Sequence, residues 1–173
     1  MQKSFIYFEN LKQIDKILIG LYSIFSFLVL VICSFAQLEL KKNLLIIYIA
    51  LSQLGLYFFL YVSLRNFKSY LIWLAFGIAH LLLFFILRKN AQFEMPSGNA
   101  ASGLGNTTIL LLLFQLFRYF SLQTQKREFV APVKGGGKDL IENVKISSID
   151  FVICLLYMLS WAGLNFLAIT YNI

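Results

Sequence analysis

Five long apolar blocks dominate this sequence and restrict the folds that it can adopt. The blocks lie at about 17–37, 44–64, 70–87, 105–122 and 149–171. A helix of about 20 residues can cross the roughly 30 Å of hydrocarbon in a bilayer, because each residue adds about 1.5 Å. The chain is 60% hydrophobic and 13% charged, so little of it remains for a soluble domain. We therefore predict an all-α membrane protein, a small polytopic bundle of about five transmembrane helices that forms a single membrane domain over residues 1–173.

The basic residues lie mainly in the segments between the apolar blocks. This placement explains the net charge of +7 by orientation in a membrane rather than by binding of nucleic acid. If successive blocks alternate in direction, the basic residues on one side are Lys3, Lys12, Lys16, Arg65, Lys68, Arg118, Lys126, Arg127, Lys134, Lys138 and Lys145. Those on the other side are Lys41, Lys42, Arg88 and Lys89. The positive-inside rule then places the N-terminus in the cytoplasm and the C-terminus outside, and we expect the membrane to be a bacterial inner membrane.

Three segments outside the blocks carry predictions of their own. Residues 1–16 mix aromatic side chains with lysines, which indicates either a short interfacial helix or a frayed terminus. Residues 88–106 are rich in Gly, Ser and Asn, and we expect an exposed loop there. Residues 123–148 form the longest connection, a cytoplasmic loop in which Asp139 is expected to cap a short helix that continues through Lys145.

Three polar side chains fall near the middle of predicted spans: Gln53, His80 and Gln115. Lipid cannot satisfy the hydrogen bonds of such groups, so we expect the side chains to face the interior of the bundle. One interpretation is that they hold the helices together, with each interhelical hydrogen bond contributing about 0.6 kcal/mol on average. The other is that they form a mid-membrane polar site for a ligand, a quinone or a haem.

Arg118 lies about one turn from the cytoplasmic end of the fourth block. A side chain of this length can bring its guanidinium group to the lipid headgroups. It could also hold an anion or a lipid phosphate together with basic residues of the following loop. The candidate contacts with anionic lipid are Arg118, Lys126, Arg127, Lys134 and Lys138.

Groups that could perform catalysis at membrane depth are scarce. All eight Asp and Glu residues lie outside the blocks or at their ends, so a buried pair of carboxylates is not expected. Cys33 and Cys154 fall inside predicted spans, where small packing residues are a better interpretation than a disulfide or a metal site. With His80 as the one histidine, we predict no catalytic residue, no metal ligand and no cofactor.

These patterns favour a non-catalytic accessory or assembly subunit of a larger membrane complex. Its partners would be the lipid bilayer and other membrane-protein subunits, or further copies of itself. The alternative is a small transporter or a lipid- or quinone-handling protein that uses the cluster of Gln53, His80 and Gln115. Stable co-purifying proteins would favour the first function, and a homo-oligomer with bound lipid or quinone would favour the second.

The basic asymmetry gives a test of topology. A reporter fused at Ile173 and a reporter inserted within residues 123–148 should lie on opposite sides of the membrane, because one span separates the two positions. Activity of paired reporters that work on one side only, such as alkaline phosphatase and a fluorescent protein, measures this directly. Both reporters on the same side would rule out the arrangement of five spans.

Overall fold

The chain folds into a bundle of helices, seen here in a computed structural model that describes residues 4–96, 98–132, 137–139 and 141–170. The α-helices are α1 (Gln13–Phe35), α2 (Leu38–Phe58), α3 (Phe67–Leu87), α4 (Asn106–Gln125) and α5 (Ser148–Thr170). Three segments, Gln13–Phe35, Phe67–Leu87 and Ser148–Ala168, are long and apolar enough to cross a membrane. The protein is therefore mostly helical with three helices suited to a membrane, which confirms the predicted fold class in part.

The helices begin and end at residues that differ from the bounds of the predicted blocks. Hydrogen bonds at the helix ends explain two of these differences. α2 ends at Phe58, before the apolar block does, because the N–H groups of Phe59 and Leu60 both donate to the carbonyl of Gly55 and the chain then turns. α3 begins at Phe67 because the side chain of Asn66 accepts a hydrogen bond from the N–H of Lys68, as an N-cap does.

The consecutive helices α3 and α4 run in opposite directions. Between α3 and α4, His80 lies beside Thr107 and Gly77 lies beside Leu111, so the residue numbers rise on one helix as they fall on the other. The two helices are close at Gly77, where an added Cβ would lie 3.0 Å from Leu111 Cδ1 and 3.3 Å from Thr108 Oγ1. The missing side chain of Gly77 thus permits this approach, as expected of small residues between membrane helices.

The connection between α3 and α4, residues 88–105, folds into the bundle. We call it the inner loop, and it contains the short antiparallel strands β1 (Glu94–Met95) and β2 (Gly98–Asn99). Its most buried residues are Phe93, Asn99, Ala100, Ala101, Ser102 and Leu104. The prediction of an exposed loop is wrong for these residues, since Asn99 donates to the Arg88 carbonyl and accepts from the N–H of Ala101. These bonds satisfy backbone groups that water would otherwise have to reach.

The connection between α4 and α5, residues 126–147, closes the other end of the bundle. We call it the cap loop and that end the cap end. Phe129 is 1% exposed and packs with its ring centre 5.9 Å from that of Tyr57 and 5.1 Å from that of Phe114. Its carbonyl accepts a hydrogen bond of 2.7 Å from Arg65. The cap loop therefore contributes an aromatic side chain to the core and does not merely connect two helices.

Three ion pairs fasten the cap loop to the helix ends. They join Arg65 to Glu142 at 2.8 Å, Arg118 to Glu128 at 2.7 Å, and Arg127 to Asp150. Each pair is at least partly buried, where screening by solvent and salt is weaker than on an open surface. Loss of one partner would leave a buried charge uncompensated, so the pairs specify how the loop is seated.

The segment before α1, residues 4–12, is an extended strap across the cap end. The N–H of Phe67 donates to the carbonyl of Tyr7 at 3.0 Å. Asn66 binds Glu9 twice, because its side-chain oxygen accepts from the N–H and its side-chain amide donates to the carbonyl. Both expectations for this segment, an interfacial helix and a frayed terminus, are therefore wrong for the described residues.

The short helix expected from Asp139 to Lys145 is also absent from the described residues. The chain instead folds back on itself, with a bridge between Lys138 and Lys145 and a hydrogen bond of 2.8 Å from the N–H of Ile146 to the carbonyl of Gly137. The prediction that Asp139 binds backbone N–H groups holds, but these groups belong to a tight turn rather than to a helix.

The carboxylate of Asp139 organises this turn. It accepts hydrogen bonds from the N–H groups of Ile141, Glu142 and Val144 and from the hydroxyl of Tyr61. Burial raises the pKa of this carboxyl, but the hydrogen bonds from Tyr61 and the backbone outweigh burial and hold the pKa below its ordinary value of 3.8. The folded state therefore favours the ionised form.

A test follows from the pKa of Asp139. Because the folded pKa is lowered, the stability that this group contributes is complete above the ordinary pKa and is lost as pH falls through the folded value. We expect Asp139→Asn to lower stability at neutral pH by about 1–3 kcal/mol, since it weakens hydrogen bonds to a charged acceptor. Thermal unfolding in detergent between pH 7 and pH 3 should show the difference from wild type decrease as the pH falls below the ordinary pKa, because the carboxyl of the wild type begins to bind a proton. Glu94→Gln, which changes an exposed carboxylate at the other end, is the control.

Candidate functional site

Buried polar side chains meet in the interior of the bundle and link all five helices. We call them the polar cluster: Tyr22 and Ser26 of α1, Tyr48, Ser52 and Gln53 of α2, His80 of α3, Thr107 of α4 and Asn165 of α5. The pairs on α1 and α2 are four residues apart and so lie on one face of their helix. The helical repeat thereby directs several hydroxyl groups at one histidine.

His80 is the centre of one half of the polar cluster. Its Nε2 atom lies 2.7 Å from the hydroxyl of Tyr48 and 3.1 Å from that of Tyr22. Its Nδ1 atom lies 3.1 Å from Oγ1 of Thr107. Both ring nitrogens therefore have partners, and His80 is only 3% exposed.

The directions of the neighbouring hydrogen bonds determine the tautomer of His80. Tyr48 donates to Ser26 at 2.8 Å, and Tyr22 donates to Ser52 at 3.1 Å. Each tyrosine has one hydroxyl proton, so neither has a second proton for the imidazole. The arrangement that fits these directions has Nε2–H of His80 donating to Tyr48 while Nδ1 accepts from Thr107.

Gln53 is the centre of the other half. Its amide nitrogen donates to the carbonyl of Gly103 at 2.7 Å and to Oγ1 of Thr107 at 3.3 Å. Its amide oxygen accepts from Asn165 at 3.1 Å. Thr107 thus lies between Gln53 and His80, and the inner loop is tied to the cluster through Gly103.

Gln115, the third predicted member, lies elsewhere. Its amide donates to the carbonyl of Leu64 at 3.1 Å, and its oxygen accepts from Arg118 at 3.4 Å. The structure therefore joins Gln53 and His80 through Thr107 and places Gln115 at the cap end. Both glutamines bind protein groups rather than face lipid.

Arg118 does not extend to the surface. It is 0% exposed, and its guanidinium group donates three hydrogen bonds of 2.7–3.0 Å to the two carboxylate oxygens of Glu128. The rings of Phe5 and Tyr7 lie over it, with centres 4.9 Å and 5.5 Å from Cζ. The prediction that Arg118 reaches the headgroups is therefore wrong. The carboxylate of Glu128 in the cap loop takes the place of the lipid phosphate in the alternative interpretation, and the strap covers the ion pair.

The other candidate lipid contacts also lie at the cap end. Arg127 is paired with Asp150 and donates to a backbone carbonyl of the cap loop. Lys126 follows α4 in the left-handed conformation, with φ of 56°. Lys138 is exposed within the folded turn, and Lys134 lies outside the described residues.

Sequence reasoning missed Tyr22, Tyr48, Thr107 and Asn165. A tyrosine with a serine four residues later recurs on α1 and α2, and this spacing was the available signal. Thr107 lies near the start of the fourth predicted block, and no periodicity indicates that its hydroxyl reaches His80. The inner loop fills that end of the bundle and brings Thr107 to the level of His80.

Two cavities adjoin the tyrosines of the polar cluster. One of about 120 Å³ is lined by apolar surface beside His80, Tyr48 and Cys33. The other, of about 340 Å³, lies between α1 and α2 beside Tyr22 and Ser52. Within the described residues, no group of three or more His, Cys, Asp or Glu side chains is placed to hold a metal ion. The chemistry that this arrangement offers is therefore hydrogen bonding by neutral groups.

Comparison with models of known protein families, with curated proteins and with solved structures gives no match. The geometry and the sequence are therefore the basis for inferring a function.

Two adjacent threonines test whether the hydrogen bonds of the cluster hold the bundle together. Thr107→Val removes the hydroxyl between His80 and Gln53, and we expect a loss of about 1–2 kcal/mol because two buried groups lose a partner. Thr108→Val is the matched control, since Oγ1 of Thr108 is buried and has no hydrogen-bond partner in the described structure. Its effect should be neutral or stabilising. Unfolding in detergent measures both, and equal losses would contradict this role of Thr107.

Proposed function

We propose that the protein is an integral membrane protein in which all five helices cross the bilayer, with the N-terminus in the cytoplasm. α2 and α4 have 21 and 20 residues, which gives each a length of about 30 Å. Both run alongside α3, which by length and composition can itself cross a membrane. The C-terminus would then be outside, an orientation that the basic asymmetry of the sequence supports, and the membrane that we propose is a bacterial inner membrane.

We propose further that the protein is a non-catalytic accessory or assembly subunit of a larger membrane complex. One observation supports this most: the deepest polar groups bind one another. The amide nitrogen and the amide oxygen of Gln53 both form hydrogen bonds within this chain. Both ring nitrogens of His80 do so as well. A site that binds a substrate needs polar groups that are free to exchange partners, whereas these groups already connect the helices.

The apolar outer surface of α1 is a second observation in favour of partners in the membrane. This helix packs at the edge of the bundle, and most of its side chains are exposed or half-buried. Its exposed large side chains include Ile17, Leu21, Ile24, Phe27, Leu28, Val31 and Phe35. Such a surface suits lipid or the apolar helices of other subunits, or of a second copy.

A second candidate function, a small transporter or a lipid- or quinone-handling protein, has one observation in its favour. The cavity of about 340 Å³ between α1 and α2 places the polar edges of Tyr22 and Ser52 beside apolar walls. An apolar molecule with one polar end would fit such a lining. In this function the cluster around Gln53 and His80 would be the site, with Gln115 further along α4.

One experiment separates the two functions. The full chain is purified from its native membrane with and without crosslinking, and the isolated, folded protein is assayed against lipid and quinone substrates. We expect a membrane protein to co-purify in constant stoichiometry and no turnover by the isolated chain. We expect His80→Ala and Cys33→Ala to lower thermal stability or assembly, because both side chains pack inside the bundle.

The same experiment can contradict the accessory function. A robust rate with lipid or quinone that His80→Ala abolishes, while folding and partner binding survive, would establish an enzyme. A homo-oligomer that retains quinone or lipid and has no other subunit would favour the second candidate.

A further inference from the structure

The cavity of about 340 Å³ between α1 and α2 is an open groove, which we call the α1–α2 groove. Leucine and phenylalanine side chains of the two helices form most of its lining: Leu18, Leu21, Phe25, Leu51, Phe59 and Leu60. Leu21 and Leu51 are exposed, whereas Trp73 of α3, which also lines the groove, is only 2% exposed. Trp73 therefore lies at the bottom of the groove, and the leucines form its rim.

Gly55 of α2 leaves this groove open. A Cβ added at Gly55 would meet no heavy atom within 4 Å, whereas one added at Gly77 would lie 3.0 Å from Leu111. Glycine inside a helix is destabilising relative to alanine. Close packing of a neighbouring helix accounts for the glycine at Gly77 but does not require one at Gly55. The missing side chain of Gly55 thus adds free space to the groove.

The indole of Trp73 brings an unused hydrogen-bond donor to the same place. Its Nε1 atom is buried and has no hydrogen-bond partner within the described structure. The hydroxyl proton of Tyr22 is already donated to Ser52. A buried donor without an acceptor costs free energy, and the acyl chains of lipids contain no acceptor. The groove therefore fits an apolar molecule that brings an acceptor for Trp73 and needs no donor of its own satisfied.

The depth of Trp73 restricts which acceptor can reach it. Trp73 lies six residues after Phe67, the first residue of α3, and so about 9 Å along the helix. In the topology proposed above, the start of α3 is at the cytoplasmic boundary of the hydrocarbon, where the ester oxygens of phospholipids lie. The acceptor must therefore belong to a group that enters the hydrocarbon itself. The carbonyl of a quinone is such an acceptor, and the aromatic rings of Tyr22, Phe25 and Trp73 offer contact area for its flat ring.

We propose that the α1–α2 groove binds an isoprenoid quinone. One ring carbonyl would accept a hydrogen bond from Nε1 of Trp73, the ring would occupy the space beside Gly55, and the tail would lie along Leu21 and Leu51. The inference rests on the membrane placement proposed above and gives the second candidate function a ligand and a place to bind it. Binding alone requires no turnover, so it is also compatible with an accessory subunit.

Tryptophan fluorescence tests the proposal, because the chain contains two tryptophans, Trp73 and Trp161. In the Trp161→Phe variant all tryptophan fluorescence comes from Trp73, and a quinone ring in contact with the indole quenches it. The full chain in detergent is titrated with decylubiquinone. We expect quenching that saturates as the groove fills. Quenching that rises without saturation, or its absence, would overturn the proposal.

A glycine substitution locates the bound ring. In the Trp161→Phe background, Gly55→Leu should weaken binding of decylubiquinone at least about tenfold, because the new side chain occupies the space beside Gly55. Leucine also favours the helix, so thermal unfolding should show no loss of stability. Gly163→Leu of α5 is the matched control, since an added Cβ there also meets nothing within 4 Å and Gly163 does not line the groove. Equal binding by the two variants would contradict a site in the groove.

A second substitution tests the hydrogen bond. Trp73→Phe keeps an aromatic ring and removes the N–H, so native mass spectrometry should show decylubiquinone bound about three- to tenfold more weakly. Stability without the quinone should be unchanged or higher, because a buried donor without a partner is lost. Trp161→Phe is the control, since its Nε1 is likewise buried without a partner in the described structure and it lies outside the groove. Unchanged affinity of Trp73→Phe would refute the proposed donor.

Competition identifies the class of ligand. Decylbenzene, which has a ring and a tail but no carbonyl, and phosphatidylethanolamine, which has ester carbonyls, should not displace decylubiquinone at equal concentration. Displacement by decylbenzene would show that the carbonyl is not recognised, and displacement by the phospholipid would assign the groove to lipid. The topology reporters and the turnover assay examine the proposed function separately. A correct topology without saturable quenching therefore refutes this groove proposal alone.

Discussion

The hydrogen bonds that Thr107 makes with His80 and Gln53 are the interaction on which the arrangement of the helices depends. In lipid there is little hydrophobic force between helices, because acyl chains are as apolar as leucine. A bundle in a membrane therefore needs close packing and polar contacts to fix which helices meet. Here one hydroxyl lies between a histidine that reaches α1 and α2 and a glutamine that reaches α5. Each helix thus contributes at least one hydrogen bond to the polar cluster.

Both ends of the bundle are closed by connections that enter the protein. Each connection satisfies its buried polar groups in a different way. The inner loop satisfies its backbone with neutral groups, notably the amide of Asn99 and the contact between Gln53 and Gly103. The cap loop uses charges, and one of them, Glu128, pairs with the fully buried Arg118 of α4. That guanidinium group is tolerable at 0% exposure because Glu128 neutralises it with two-point contact. The difference matches the proposed topology, in which the charged end faces the cytoplasm.

The sequence predicted well what depends on local periodicity and poorly what depends on chain reversal. The apolar blocks overlap the five helices, and the depth of Gln53 and His80 within them indicated a buried role. Glu128, the partner of Arg118, lies beyond the end of α4, and no periodicity indicates that the chain folds back there. The depth of Thr107 depends likewise on an inner loop whose composition is typical of an exposed one. Gln115 shows that the position of a residue along a span does not predict its contacts. Its amide binds the carbonyl of Leu64 rather than the polar cluster.

The distribution of polar groups also restricts how another molecule can recognise this protein. Along the helices the polar groups bind one another, so the outward surfaces of α1 and α5 offer shape and apolar area, which distinguish partners weakly. At the cap end, by contrast, carboxylates and basic groups line an open cleft of about 480 Å³. Directional bonds and charges discriminate between ligands more sharply than apolar contact does. Selective recognition by charge is therefore best sought at the cap end, and the helix faces are suited to holding the bundle in lipid or against a neighbouring subunit.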